Sequence, residues 1–301
     1  MRARSLLLAL SMMLLSAACD RSPPPQSLHY SRTPPVLAAE YRLAIHPLHH
    51  PRKLAEVYQP LVDYLNRQLP GMHIDLEATR NFQAYEQKFR DRAPAFLLLN
   101  PWQAIEAMNA GYHVIAMAGD AEDFKGLFLV RKDSGIKTPA DLRGKVVSYP
   151  SPTALAAAIM PQDYLHRHGI DIKRDIRNSY VGSQESSIMN VYLGKSAAGA
   201  SWPPAWRLFQ RQHPAAAAQL EPIWETPPLL NNAVMVRDDV PAAVREQLRT
   251  ALLRMAQRPE GQAILSGMET ARFHPADDAS YDPVRRYIAR FEREVRPVER
   301  E

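Results

Sequence analysis

Hydroxyl side chains cluster in the segment 148–161, which reads SYPSPTALAAAIMP and joins a predicted buried strand to a predicted helix. Ser148, Ser151 and Thr153 precede an alanine-rich run, and alanine favours helix formation. The first N–H groups of a helix lack partners inside the helix and lie at its positive end, so small anions bind there. The segment therefore predicts ligand contacts from these three hydroxyls, with capping of the helix by Thr153 as the alternative.

Two more predicted helix starts carry polar side chains. Asn100 follows the apolar run 95–99, and Ser183 and Gln184 follow the predicted strand 178–181. Ligands of open α/β sheets bind beyond the carboxyl ends of the strands, where these residues lie. We therefore predict Asn100, Ser183 and Gln184 as ligand contacts, with N-capping as the alternative role of Ser183.

Aromatic side chains near the same strand ends are candidates for an apolar wall of a binding cleft. They are Trp102, Phe124 and Trp202, and Trp202 directly follows a small-residue strand predicted over 197–200. Large aromatic side chains mostly fill cores, so burial away from the ligand is the alternative for each of them.

The run His46-Pro-Leu-His49-His50 places three imidazoles close together, and imidazole binds zinc and copper. No cysteine, aspartate or glutamate lies within the run to complete a closed site, so we predict a structural or cleft-edge role and no metal. The sequence also lacks the glycine-rich nucleotide loops and the His-Glu-x-x-His and Gly-x-Ser-x-Gly motifs. We therefore predict no cofactor and no enzymatic activity.

The composition indicates a globular protein without a nucleic-acid-binding face. Of its 301 residues 46% are hydrophobic, and the 37 Lys and Arg residues exceed the 32 Asp and Glu residues by five. The basic residues are scattered among acidic ones, whereas nucleic-acid binding requires a clustered basic surface. We predict a monomer with a small-molecule ligand and no nucleic-acid partner.

The amino-terminal region has the features of a bacterial export signal. Arg2 and Arg4 precede an apolar run over 6–15 that is too short to span a bilayer as a stable helix. The one cysteine of the chain, Cys19, follows a run of small residues, as in a bacterial lipoprotein lipobox, although Ser16 stands where leucine is usual.

These features predict a signal peptide over 1–18, a lipidated Cys19 and a tether over 19–39 that holds five prolines. Asp20 favours retention at the inner membrane, so the predicted location is the periplasm, with a lipid anchor in the cell membrane. The alternative is an ordinary signal peptide followed by an unmodified cysteine.

Predicted strands and helices alternate from residue 40 onward, beginning with a strand over 41–45 and an amphipathic helix. Asn81 is a predicted N-cap, and helices are predicted after Pro241 and from Pro259. The strand–helix alternation predicts an α/β protein with a mostly parallel sheet.

Several segments resemble the phosphonate- and phosphite-type (PhnD-like) substrate-binding proteins of bacterial ABC transporters. The most similar are 132–136 (KDSGI) and 141–147 (DLRGKVV). Others follow the family's order: 58–65 (YQPLVDYL), 99–101 (LNP), 168–171 (HGID), 182–185 (GSQE) and 194–200 (GKSAAGA). Each segment is weak alone, but together they cover about 41–296.

The resemblance implies the type II periplasmic-binding-protein fold, with two α/β lobes, a hinge and a ligand cleft. Lobe 1 is predicted over 40–130 and 231–296, lobe 2 over 131–230, and a tail over 297–301. The implied function is capture of a small solute by lobe closure for an ABC permease. The alternative is a sensory or accessory lipoprotein that signals to a membrane partner such as a histidine kinase.

The sequence departs from the family at the segments that bind phosphonate. Aligned on Pro161, the family's Ser-Thr-Ser-Gly falls on Ala154-Leu-Ala-Ala157. Gln184 and Glu185 replace a His and an Asp, and an acidic residue expected at 197 is Ala197, which disfavours an aminophosphonate. We therefore predict an oxyanion-bearing solute and leave its identity open.

Overall fold

Residues 39–298 are described in a computed structural model. The predicted signal peptide over 1–18, the predicted lipidation site Cys19 and all but the last residue of the predicted tether lie outside the described residues. The predicted tail over 297–301 is described only at its first two positions. Within 39–298, no helix combines the length and the apolar character needed to cross a membrane.

The first sheet is mixed and has six strands. They are β1 (Ala39–Ile45), β2 (Met72–Ala78), β3 (Phe96–Leu99), β4 (Tyr112–Ala118), β10 (Asn232–Arg237) and β11 (Phe273–Pro275). Their order across the sheet is β11-β4-β10-β3-β1-β2. Strand β1 pairs in parallel with β2 and β3, and β10 runs antiparallel between β3 and β4. All of β3 (FLLL) is buried, as expected for a strand covered on both faces.

The second sheet is also mixed and has five strands. They are β5 (Leu127–Arg131), β6 (Val146–Tyr149), β7 (Arg177–Tyr180), β8 (Ala198–Ser201) and β9 (Leu220–Glu225). Their order across the sheet is β7-β6-β8-β5-β9, with parallel pairs at β6 and antiparallel pairs at β5. A Cβ added at Gly199 would lie 2.6 Å from Val191 Cγ2 and 2.7 Å from the Ser187 carbonyl oxygen. The small residues of β8 therefore allow a helix to lie directly against the sheet.

Helices cover both sheets. They are α1 (Pro51–Gln68), α2 (Phe82–Arg90), α3 (Pro101–Asn109), α4 (Met160–Arg167), α5 (Gln184–Tyr192), α6 (Pro203–Gln212), α7 (Pro214–Ala217), α8 (Ala242–Arg254), α9 (Pro259–Gly267) and α10 (Asp282–Glu294). A π-helical segment, Leu155–Ile159, leads directly into α4. Short 3-10 turns lie at Ala121–Asp123, Pro139–Leu142, Met255–Gln257 and Ala279–Tyr281.

Local side chains fix where several helices begin. Asn81 accepts a hydrogen bond from Ala84 N at 2.8 Å, which caps α2 as the sequence predicted. Asn100 accepts from Gln103 N at 3.0 Å and forms a capping box at the start of α3. Such caps satisfy helix N–H groups that otherwise lack partners. They also hold the preceding strand ends in place.

The chain crosses between the sheets through 119–126 and returns through 226–231. The sequence-based lobe boundary after Val130 placed 127–130 in lobe 1, but β5 pairs with β8 and β9 of the second sheet. The first crossing therefore ends several residues earlier than that boundary. We refer below to the lobes by their sheets.

The hydrophobic core of the first lobe continues across the boundary between the lobes. Leu155, Ile159, Met160 and Trp202 from the second lobe belong to the same buried cluster as the strands of the first sheet. The lobes therefore meet along an apolar seam, and the described arrangement is a closed one.

Candidate functional site

A cavity lies on the seam, where strand ends of both sheets converge. The first lobe contributes His46, Leu48, Phe82, Asn100 and Asn232, and the second contributes Ala154–Ala157, Gln184 and Trp202, with Phe124 from the first crossing. The cavity volume is about 10 Å³, which is about the room that one water molecule requires. The seam must therefore widen before a larger solute fits.

The segment Ala154–Ala157 forms one wall of this cavity, and its backbone includes the first N–H groups of a helical run. The first bond of the helical segment runs from Ala158 N to Ala154 O at 2.7 Å. Within residues 39–298 the N–H groups of Leu155, Ala156 and Ala157 have no acceptor in the protein. The segment and α4 form one continuous helical run of 13 residues, so these groups lie at the positive end of a helix. The wall is suited to an anion or to any hydrogen-bond acceptor.

His46 forms part of the opposite wall, immediately after β1. It is 3% exposed, and its ring lies 6.1 Å from the ring of Phe82 and 6.3 Å from that of Tyr85. Neither ring nitrogen has a hydrogen-bond partner in the described part of the protein. Burial, and secondarily the charge of His49, lowers the pKa of His46 to about 3. The ring is therefore neutral at pH 7, with one donor and one acceptor nitrogen.

A buried carboxylate links the two lobes beside the cavity. Glu86 on α2 is 1% exposed and accepts hydrogen bonds from Thr153 Oγ1 at 2.7 Å and Gln103 Nε2 at 3.1 Å. Arg90 pairs with its other oxygen at 3.3 Å. Burial raises the pKa of Glu86, whereas these hydrogen bonds and the charge of Arg90 oppose the rise. Asn100 Nδ2 adds a second inter-lobe contact, to Thr153 O at 3.2 Å.

Aromatic and amide side chains complete the cavity. The rings of Phe124 and Trp202 meet edge to face, with centroids 5.8 Å apart. Gln184 Oε1 accepts a hydrogen bond from Ser201 Oγ at 3.1 Å, so its amide nitrogen remains for a ligand. Asn232 Oδ1 is buried and has no partner among the described residues.

Comparison with known proteins decides the family. The sequence pattern of the family described as "ABC transporter, phosphonate, periplasmic substrate-binding protein" matches residues 43–281, most of the chain. The chain belongs to this family. The family predicted from the sequence is therefore confirmed.

One curated relative is a probable ABC transporter phosphite binding protein, PhnD1, from Prochlorococcus marinus (strain MIT 9301). It is 24% identical over 181 residues, which is 56% of this chain and 61% of the relative. The aligned region thus spans less than two thirds of that relative's length.

Two solved structures share the fold over a larger part of the chain. PhnD1 from Prochlorococcus marinus in complex with methylphosphonate has a TM-score of 0.78, 18% identity and coverage of 85% of this chain and 99% of its own. A binding protein component of an ABC phosphonate transporter from Pseudomonas aeruginosa has a TM-score of 0.77, 18% identity and coverage of 85% and 88%. The predicted type II periplasmic-binding-protein fold is confirmed.

Four of the nine side chains predicted from the sequence as ligand contacts line the cavity of this family member. They are Asn100, Phe124, Gln184 and Trp202. Trp102 does not line the cavity; it is buried in the hydrophobic cluster that includes the strands of the first sheet.

The four predicted hydroxyl contacts have protein partners. Ser148 Oγ lies inside the second lobe, 2.9 Å from Ser187 O and 2.9 Å from Ser196 Oγ. Ser183 caps α5 by accepting from Ser186 N at 3.1 Å.

The hydroxyls of Ser151 and Thr153 are hydrogen-bonded to each other at 3.0 Å, and Thr153 donates to Glu86. Thr153 does not cap the helix, because the helical segment begins two residues later, at Leu155.

Ala197 has no bearing on the ligand of this cavity. It precedes β8 at the amino end of the strand, whereas Ser201 and Trp202 at the carboxyl end approach the cavity. We predicted from the sequence that Ala197 disfavours an aminophosphonate. Because position 197 lies away from the cavity, its lack of an acid gives no reason to disfavour that ligand.

The histidines at the two ends of the 46–50 run have different surroundings. His50 Nδ1 accepts from Lys53 N at 3.4 Å and caps α1, while the ring of His46 borders the cavity. Among residues 39–298 no group of three or more His, Cys, Asp or Glu side chains is arranged to hold a metal ion.

Proposed function

We propose that this protein is the substrate-binding component of an ABC uptake system and captures a small oxyanion-bearing solute between its lobes. The observation that carries the proposal is the helix start at Leu155, which lines a cavity shared by both lobes and whose first three N–H groups have no acceptor within residues 39–298. Membership of a periplasmic substrate-binding family supports a binding role rather than catalysis.

Closure gives the proposed mechanism. The N–H groups and Gln184 belong to the second lobe, and His46, Asn100 and Asn232 belong to the first. A solute in the cavity touches both sets only when the lobes are together, so it stabilises the closed state. A membrane permease would then recognise that state.

The cellular setting belongs to the same proposal. Cys19 carries the lipid, the proline-rich tether over 19–39 holds the binding domain away from the inner membrane, and the domain works as a monomer in the periplasm. The tether composition and the position of the single cysteine support this part.

Binding of oxyanions tests the proposal directly. We expect phosphite, phosphate or methylphosphonate to raise the melting temperature of the purified full-length protein. A ligand at 100 times its dissociation constant stabilises the folded state by about 2.7 kcal/mol. Titration calorimetry measures the affinity itself, and no heat and no thermal shift with any oxyanion would contradict the proposal.

A matched pair of variants tests the helix start. Leu155 is the first residue of the helical segment, where proline is tolerated but supplies no N–H group. Leu155→Pro and Leu155→Ala both remove the leucine side chain, and only the first removes a donor. We expect the proline variant to bind about tenfold more weakly than the alanine variant, and equal affinities would count against N–H recognition.

The contact between Thr153 and Glu86 is expected to hold the lobes together without ligand. Thr153→Val removes the donor and leaves a buried carboxylate one hydrogen bond short, which costs about 2 kcal/mol in the closed state. We expect a larger radius of gyration for the ligand-free variant in small-angle X-ray scattering.

Thr138→Val is the control, because Thr138 donates to Asp141 at 3.0 Å on the exposed surface of the second lobe. It should leave the radius unchanged. An unchanged ligand-free radius in Thr153→Val, together with weaker binding, would instead assign Thr153 to direct ligand contact.

A further inference from the structure

Among the described residues, the lining of the cavity is largely apolar and carries no charged side chain. It includes no Lys, Arg, Asp or Glu, and its histidine is neutral at pH 7. The positive potential comes from the start of the helical run at Leu155, which is equivalent to about half an elementary charge. Glu86 lies behind the wall and is paired with Arg90. Burying two ligand charges in such a place costs far more than burying one.

His46 adds a requirement that a fully deprotonated anion cannot meet. A neutral imidazole has one N–H donor and one nitrogen that only accepts hydrogen bonds. Both nitrogens are buried and unpartnered in the described protein. A fully deprotonated oxyanion accepts a hydrogen bond from the imidazole N–H but has no hydrogen to donate to the other ring nitrogen. That nitrogen then faces a lone pair of the ligand, which is costly in a buried site.

Asn232, at the start of β10 in the first sheet, also requires a hydrogen-bond donor on the ligand. Its Oδ1 atom is a buried acceptor without a protein partner in the described range, and its side chain lines the cavity. The first lobe thus contributes to the cavity lining two residues with unpartnered acceptors, and the second contributes three N–H groups without an acceptor in the described range. A ligand that matches both walls carries an O–H group on one side and bare oxygens on the other.

Resting on the proposed function, we infer that the pocket selects an oxyanion in its singly charged, hydrogen-bearing form, with His46 accepting a hydrogen bond from the ligand's O–H group. The ligand class is a hydrogen phosphonate, hydrogen phosphite or similar acid that retains one proton. The helix start at Leu155 binds the deprotonated oxygens.

Titratable groups around His46 come from three places. His49 lies in the same loop, Tyr85 and Glu86 lie on α2, and Lys53 on α1 is close to His49. Burial lowers the pKa of His49 to about 4 and raises the pKa of Tyr85, so neither changes charge near neutral pH. Burial raises the pKa of Glu86, so a control ligand must report any effect of that group on binding.

Methylphosphonate and methanesulfonate form the test pair, measured by calorimetry with the full-length protein between about pH 5 and about pH 9. Both are small tetrahedral anions with one methyl group. Methylphosphonate loses its second proton within this range, whereas methanesulfonate has one charge and no O–H group throughout. Titration of a protein group changes the affinity for both ligands. Only the affinity for methylphosphonate also changes because the ligand itself loses a proton.

We expect methylphosphonate affinity to fall about tenfold per pH unit above its second ionisation. Methanesulfonate affinity should stay flat, at roughly one tenth of the value for hydrogen methylphosphonate or less. His46→Leu should remove this preference, and His46→Gln, which retains an acceptor and a donor, should preserve most of it. Thermal unfolding confirms that both variants fold.

The outcomes separate the two proposals. Affinity for methylphosphonate that rises with pH, or equal affinities for the two anions that His46→Leu leaves unchanged, overturns the inference while solute binding stands. Absence of binding for both anions at every pH, together with no thermal shift from phosphite or phosphate, overturns the oxyanion function, and the inference falls with it.

Discussion

Replacing Asp163 by alanine is expected to lower the free energy of unfolding by about 2–3 kcal/mol, because it leaves the half-buried Arg290 and the Tyr287 hydroxyl without their shared acceptor. Asp163 lies on α4 of the second lobe and is 5% exposed. Its Oδ2 atom accepts from Arg290 Nη2 at 2.8 Å, Tyr287 Oη at 3.0 Å and Arg167 Nε at 3.1 Å. Denaturant titration measures the loss.

A solvent-exposed ion pair provides the control for Asp163→Ala. Arg67 and Glu260 form a salt bridge in which both side chains are more than half exposed, at 53% and 54%. Glu260→Ala is therefore expected to change the free energy of unfolding by less than about 1 kcal/mol. A similarly small change for Asp163→Ala would show that Arg290 finds another partner, such as Glu294 at 3.7 Å.

This cluster shows that the last helix serves both lobes. Val284 and Phe291 of α10 belong to the core of the first lobe, whereas Arg290 reaches Asp163 of the second. Just beyond α10, Arg296 donates to Gln162 Oε1 at 2.7 Å and to Pro152 O at 2.8 Å. The carboxyl-terminal segment therefore connects the first lobe to the segment that begins the proposed anion site.

Features fixed by local chemistry were predictable from the sequence. Asn81 and Asn100 cap helices through hydrogen bonds to residues three positions away. Trp202 and Gln184 line the cavity because each follows the end of a strand in the second sheet, a position that the strand–helix pattern alone marks.

Features that depend on distant pairing were not predictable. Glu86 and Thr153 are separated by 67 residues and meet only because the lobes close. Asn232 reaches the cavity because the returning chain enters the first sheet between β3 and β4, which no local pattern indicates. The pairing of β5 with β8 and β9 of the second sheet likewise joins residues that are distant in the sequence. His46 carried a signal as a histidine directly after a strand, but its unpartnered state required the structure.

Acidification is expected to destabilise this protein in a way that depends on His46. Its folded-state pKa of about 3 lies below the ordinary value of 6.5, so the folded protein binds fewer protons than the unfolded chain. The stability that His46 contributes is therefore complete above pH 6.5 and is lost as the pH falls toward about 3. By about pH 4 the loss amounts to about 3 kcal/mol, at about 1.4 kcal/mol per pH unit.

Comparison with His46→Gln isolates this contribution, because carboxylates and His49 also titrate in acid. The pKa of His49 is lowered to about 4, chiefly by burial, so part of the acid loss remains in the variant. Between about pH 6.5 and about pH 4, we expect the unfolding free energy of the wild type to decrease by about 3 kcal/mol more than that of His46→Gln. His166→Gln, at an exposed position, should follow the wild-type curve. Parallel curves for wild type and His46→Gln would show that His46 gains a proton without cost. Its ring would then be charged in mild acid, and the neutral acceptor required for ligand selection would be absent there.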